Sequence, residues 1–156
     1  MVAAEPVQLT EFERVAVLLG GVRTLKREVV SPLDAHDMLV KGMPSGALSH
    51  LLGHLEVLQL NDSLEKAVGM SLRTFQRRKD APDKPLNPEQ SGRAWKFAEI
   101  LAKATELFGS QQEAEQWLER PAIGLNRYKP IDLLATPAGT ELVETFLSQI
   151  EFGVYM

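Results

Sequence analysis

The sixteen residues from Leu64 to Lys79 leave the backbone little choice. They read as two short helices joined by a tight turn. Gly69 stands where the first helix must stop, because glycine enters the left-handed region without a Cβ penalty. Ser71 is placed to cap the second helix, its hydroxyl accepting from the unpaired amides of the next turn. Leu72 and Phe75 lie three apart and can face inward, which leaves Arg73, Thr74, Arg77 and Arg78 pointing outward. Arg73, Arg77, Arg78 and Lys79 put four cations into seven residues. A helix-turn-helix of this shape can lay its second helix in a DNA major groove, so DNA contact is the leading reading.

The formal net charge of −4 suits a nucleic-acid binder poorly until it is divided along the chain. Residues 1–70 hold six Lys and Arg against nine Asp and Glu, and residues 97–156 hold four against nine. Residues 71–96 hold seven against three. A local basic face is what phosphate binding requires, whatever the total charge. The bland alternative is a solvated helix face; turn, cap and charge agree against it. Arg73 and Arg77 share one row of the second helix, and Thr74 and Arg78 the next. Arginine can bridge guanine O6 and N7 or clamp a phosphate. Gln76 can pair with adenine if it faces outward, or else pack beside Phe75. Ser71 and Lys79, at the two ends, suit the DNA backbone.

The rest of the chain also reads as helix. Its 156 residues are enough for one compact domain or two small ones sharing a core. Thr10 is placed to cap a helix over residues 9–19, with Gly20 and Gly21 as its stop. Residues 22–30 have two readings, a short helix or an extended Val29-Val30 before Ser31-Pro32. Ser31-Pro32 starts a helix to about Lys41, ended by Gly42, and Pro44-Ser45 starts a leucine-rich one over residues 46–58. Asn61, Asp62 or Ser63 can cap the first helix of the helix-turn-helix. Pro82, Pro85 and Pro88 mark the clearest loop. A long helix follows over 88–108 with Trp95, Ala98, Leu101, Leu107 and Phe108 along its spine, ended by Gly109. Ser110 and Glu113 form a capping box for a helix to about Leu118. Residues 120–130 connect to two last helices near 130–134 and 137–150.

Several function classes find little support. The chain has no cysteine, so neither a disulfide framework nor a thiolate zinc site is available, which fits a reducing cytosol. Its first residues lack the basic and apolar regions of a secretory signal, and no apolar run approaches the ~20 residues of a membrane helix. A cytoplasmic protein is expected. His50 and His54 have the two-histidine spacing of a zinc helix, but Leu51 stands where a zincin needs Glu, and no third ligand follows. His36 beside Asp37 has no nucleophile nearby, and Gly20-Gly21 lacks the lysine of a phosphate loop. No catalytic constellation emerges, and no enzyme, metal or cofactor is expected.

The tail is harder to dismiss. Phe152, Val154 and Tyr155 are apolar residues at a chain end, where fraying is usual. They suit an anchor, folded back on this chain or inserted in a partner.

From about Leu64 onward the chain resembles the Xre/ParS/MbcA-type antitoxins. The resemblance is carried by Ala67-Val-Gly-Met-Ser-Leu-Arg-Thr-Phe-Gln-Arg-Arg, Leu86-Asn-Pro-Glu-Gln-Ser-Gly-Arg, Ala104-Thr-Glu-Leu-Phe-Gly and Ala114-Glu-Gln-Trp-Leu. It continues through Gly124-Leu-Asn-Arg-Tyr-Lys-Pro-Ile-Asp-Leu-Leu-Ala-Thr-Pro-Ala-Gly and closes with Val143-Glu-Thr-Phe-Leu-Ser-Gln-Ile-Glu-Phe-Gly-Val-Tyr. It implies an all-α helical bundle: a Xre-like helix-turn-helix DNA-binding domain over 61–109 and a helical toxin-binding domain over 110–156. Residues 1–60 match only loosely and are assigned to dimerisation. The implied partner is a RES-type, ADP-ribosyltransferase-like toxin that uses NAD. The antitoxin would block the toxin's active site and repress its own operon as a dimer on promoter DNA. The resemblance favours insertion of the tail into that toxin, through Ile150, Glu151, Phe152, Val154 and Tyr155. The turn Asn126-Arg-Tyr-Lys would add polar contacts, since Arg127 and Lys129 can engage carboxylates. The rival reading is a stand-alone transcription regulator whose C-terminal domain oligomerises or senses a ligand.

Overall fold

Local caps set most of the helix starts. In the computed structural model, which describes residues 10–153, Thr10, Ser31, Ser71, Asn87, Ser110 and Thr136 each accept the backbone N–H three residues ahead. They start α1 (Glu11–Leu18), α3 (Pro32–Lys41), α6 (Leu72–Arg78), α7 (Pro88–Phe108), α8 (Gln111–Leu118) and α10 (Pro137–Glu151). Proline opens α3, α7 and α10, and also α9 (Pro130–Leu133), where its missing amide has no helical partner to lose. The remaining elements are α2 (Gly21–Leu25), α4 (Ser45–Gly53), α5 (Leu60–Asp62) with its π-helical continuation Ser63–Val68, and a 3-10 turn at Ile123–Leu125. Among the described residues the fold is all helix, with one isolated antiparallel bridge between Pro44 and Pro85.

The spine is α7, which packs against α1, α3, α8, α10 and the π-helical turn. Its Trp95, Phe97, Ala98, Ile100 and Leu101 are buried in one continuous hydrophobic cluster that runs from Val15 to Leu147. Leu107 and Phe108, at its end, are half-buried. Phe108, Trp117 and Phe146 extend the core as an aromatic row, with ring centroids 5.3 Å and 6.0 Å apart. Segments 10–60, 61–109 and 110–153 thus share a core, and what distinguishes them is the surface each presents.

Four expectations change. The leucine-rich helix stops at Gly53 rather than near Leu58; Leu58 is buried all the same, but from a loop. None of Asn61, Asp62 and Ser63 caps the first helix of the helix-turn-helix, which starts at Leu60, and Ser63 Oγ donates back to Gln59 O instead. Ser110 caps α8, but only this forward half of the predicted box forms. Residues 22–30 are mostly not helical: the helix ends at Leu25, Lys26 turns left-handed at φ +62°, and the irregular stretch that follows buries Val29 and exposes Val30.

The α4–α5 loop is held from a distance. Glu115 of α8 is completely buried, and its carboxylate accepts the N–H groups of Glu56, Val57 and Leu58 at 2.9–3.0 Å. Gln111 Nε2 donates to the same carboxylate and to His54 O. Three consecutive amides converging on one anion replace the water that a buried carboxylate would otherwise require. Truncation leaves those amides without a partner. Glu115→Ala is therefore expected to lower folding stability by about 3–5 kcal/mol, read by urea unfolding. A loss below about 1 kcal/mol would mean that water or another group serves the loop equally well.

Candidate functional site

The turn before α6 is fixed from two sides. Gly69 adopts φ +75°, and a Cβ there would lie 2.1 Å from Arg93 Nη1. Arg93 needs that space: its Nε donates to Ala67 O at 3.1 Å and its Nη2 to Lys66 O at 2.9 Å, capping the end of the preceding helix. Met70 N–H reaches back to Leu64 O. The chain then enters α6 with Ser71 Oγ accepting Thr74 N–H and donating to Thr74 Oγ1.

Phe75 is buried at 4% exposure and Leu72 half-buried, so α6 rests on the core as its pattern requires. Arg73, Gln76, Arg77 and Lys79 are exposed, and Thr74 and Arg78 half-exposed. Gln76 therefore faces outward rather than packing beside Phe75. Lys79 Nζ lies 5.2 Å above the Phe75 ring, and Arg78 Nη1 donates to Pro85 O. Not all seven cations of residues 71–96 join this face. Arg93 is spent on helix carbonyls, and Lys96 bridges Glu99 and Glu144 at 2.9 and 3.1 Å. Partial burial opposes the charge on Lys96, but its two carboxylate partners outweigh it and its pKa is raised. The basic surface is thus α6 and the loop that follows.

The second surface lies on the C-terminal helices. Residues 122–128 close on themselves: Ala122 N–H donates to Tyr128 O, and Arg127 N–H to Ala122 O. Asn126 and Arg127 both take positive φ, 55° and 66°, in this closed turn. Gly124 lies under the Phe146 ring, where a Cβ would approach to 2.1 Å. The closure pushes side chains out. Ile123 is 90% exposed and Tyr128 55%, while Asn126, Arg127 and Lys129 are exposed as expected. Beside the turn, Tyr128, Leu133 and Leu142 border a cleft of about 450 Å³. Phe152 is 75% exposed, so it is not folded back on this chain. Ile150 is half-buried, and Glu151 forms an ion pair with Lys103. Val154 and Tyr155 lie outside the described residues.

Two other places have internal roles. His50 and His54 are stacked at 4.1 Å, with His50 Nδ1 against Leu18 O and His54 Nδ1 against His50 O. Among the described residues no group of three or more His, Asp and Glu is arranged to hold a metal ion. A cleft of about 600 Å³ lies between the N-terminal half of α7, the α9–α10 loop and the start of α10, but its cations, Arg93 and Lys96, are already bonded within the chain. Sequence reasoning missed Arg93 and Glu115. The available signal for Glu115 was a charge sharing a helix face with Gln111, Ala114 and Leu118.

Residues 34–99 match the antitoxin Xre-like helix-turn-helix domain, and residues 103–153 match the antitoxin Xre/MbcA/ParS C-terminal toxin-binding domain. The chain is 29% identical over 136 residues to Antitoxin Xre of Yersinia enterocolitica, covering 85% of this chain and 91% of that protein. It is 37% identical over 82 residues to Antitoxin Xre of Pseudomonas putida, covering 53% of this chain and 51% of that protein. It is 27% identical over 134 residues to the Prs ADP-ribosylating antitoxin of a Sphingobium species, covering 80% and 82%. Among the described residues no helix is long and apolar enough to cross a membrane. The basic helix α6 and the exposed C-terminal surface fall one in each matched domain, and the chain belongs to the Xre/MbcA/ParS antitoxins of toxin–antitoxin systems.

Proposed function

We propose that this antitoxin neutralises a RES-type, NAD-using toxin by covering its active site, and represses its own operon by binding promoter DNA as a dimer. The observation that carries the first half is that Ile123, Tyr128, Leu142 and Phe152 stand exposed within the matched toxin-binding domain, with Tyr128 and Leu142 on one cleft. Asn126, Arg127 and Lys129 add polar groups on the same closed turn, and Val154 and Tyr155 are assigned to the toxin contact with Phe152. The Sphingobium relative carries ADP-ribosylation in its name, which supports an NAD-using partner for this chain. The antitoxin acts here by occlusion and needs no catalytic group of its own.

The second half rests on α6. Arg73, Thr74, Gln76 and Arg77 are the candidate base readers, and Ser71, Arg78 and Lys79 the backbone contacts. Val17, Val22, Val30, Leu33 and Val40 are large apolar side chains left at least half exposed on the N-terminal helices and the segment joining α2 to α3. Leu33 and Val40, seven apart on α3, share a face that a second copy would cover. A two-fold dimer would offer two recognition helices to half-sites about 34 Å apart.

Arg77→Ala is expected to weaken promoter binding by about tenfold or more while leaving toxin neutralisation intact. Gel-shift titration checks the first part and growth rescue the second; unchanged promoter affinity would remove Arg77 from the interface. Deleting residues 152–156 should lower neutralisation and capture of the adjacent gene's product in a pull-down, with helicity retained. Full rescue by the shortened chain would defeat the assignment of the tail. Failure of the intact chain to capture that product would defeat the toxin-binding half altogether.

A further inference from the structure

Beside the recognition helix lies a notch of about 270 Å³ lined by Thr74, Arg77, Arg78, Ala81 and Lys84. Three cations, one hydroxyl and one methyl surround it, and no carboxylate does. Of the two acids in this loop, Asp83 is drawn into an ion pair with Lys26, and neither Asp83 nor Asp80 lines the notch. Lys84 itself is exposed, but its main chain is not free. Its carbonyl accepts both the N–H of Ser45, at 2.9 Å, and the Ser45 hydroxyl, at 2.6 Å. Its own N–H donates to Ala81 O at 3.0 Å, and Leu86 N–H donates to Met43 O at 2.8 Å. Gly42 permits this approach, since a Cβ there would meet Leu86 O at 2.3 Å. The loop after α6 is thus stitched to the α3–α4 junction, and the lysine projects from a fixed base. Arg78, bonded to Pro85 O, forms the other wall.

We infer that this notch holds a backbone phosphate of the bound duplex, with Lys84 as a phosphate-clamping residue alongside Arg78, where the notch borders the base-reading row at Thr74 and Arg77. The inference rests on the proposed DNA-binding role and divides its labour. The outer row of α6 reads bases, while the notch sets the depth and register of the helix in the groove. Three cations around a hydroxyl suit a tetrahedral anion, and Ala81 leaves the room such a group needs.

The test is fluorescence anisotropy of the full-length chain on its promoter duplex and on an unrelated duplex of equal length, across 50–200 mM KCl. Lys84→Gln should weaken both duplexes by the same factor, about fivefold near 0.15 M salt, and reduce the log–log salt slope by about 0.9. Ala81→Glu, which fills the notch with an anion, should do the same or more. Arg120→Gln, a cation on the chain beyond α8, should leave the slope unchanged. Circular dichroism confirms that each variant is folded. An unchanged slope for Lys84→Gln, a loss confined to the promoter duplex, or an equal change in Arg120→Gln would overturn the clamp while leaving DNA binding in place. If the wild-type chain binds neither duplex, the DNA-binding role falls and the clamp with it.

Discussion

One buried carboxylate holds the two functional halves in register. Glu115 sits on α8, within the toxin-binding domain, yet its oxygens are occupied by three consecutive amides of the loop that leads into the helix-turn-helix. A charge in that position is tolerable only because the amides and Gln111 replace its hydration. The loop in turn depends on Glu115, because it lies outside α4 and α5 and no helical ladder takes up these three amides. From there the order propagates. Leu58 is drawn into the core, α5 starts at Leu60, and Arg93 of α7 caps the end of its π-helical continuation. The turn into α6 is held by Arg93 of α7, and the helix itself is set by its Ser71 cap and the buried Phe75.

That dependence explains which parts of the fold could be read from the sequence. Helices α3, α6, α7, α8 and α10 begin at Ser, Asn or Thr and end at or near predicted positions because capping is decided within four residues. Gly69 was legible for the same reason. The end of α4 was not: Leu55 and Leu58 continue the leucine spacing, and the force that pulls the loop away comes from a residue 57 positions or more distant in sequence. Gly53 was a local hint that the leucines overrode.

The candidate surfaces were legible to different degrees. Outward Arg73 and Arg77 follow from helical geometry once Leu72 and Phe75 face the core. A cation count cannot tell a solvent-facing arginine from Arg93, whose role depends on carbonyls 26 and 27 residues away. On the C-terminal side the polar turn was readable, but the exposure of Ile123 was not. Ile123 stands out because Ala122 pairs across the turn with Arg127 and Tyr128, a closure that forces Asn126 and Arg127 to positive φ. Glu151 shows the reverse, since an expected partner contact is already engaged by Lys103.

Two surfaces on one continuous core is the central claim, and hydrogen exchange on the full-length chain tests it most directly. Exchange would be followed for the chain alone, with promoter duplex, and with the product of the adjacent gene. Duplex should slow exchange in α6 and residues 79–87, and the toxin should slow it in residues 122–153, leaving two separate footprints. A single footprint shared by both partners, or protection of the C-terminal turn by DNA, would contradict the division of surfaces.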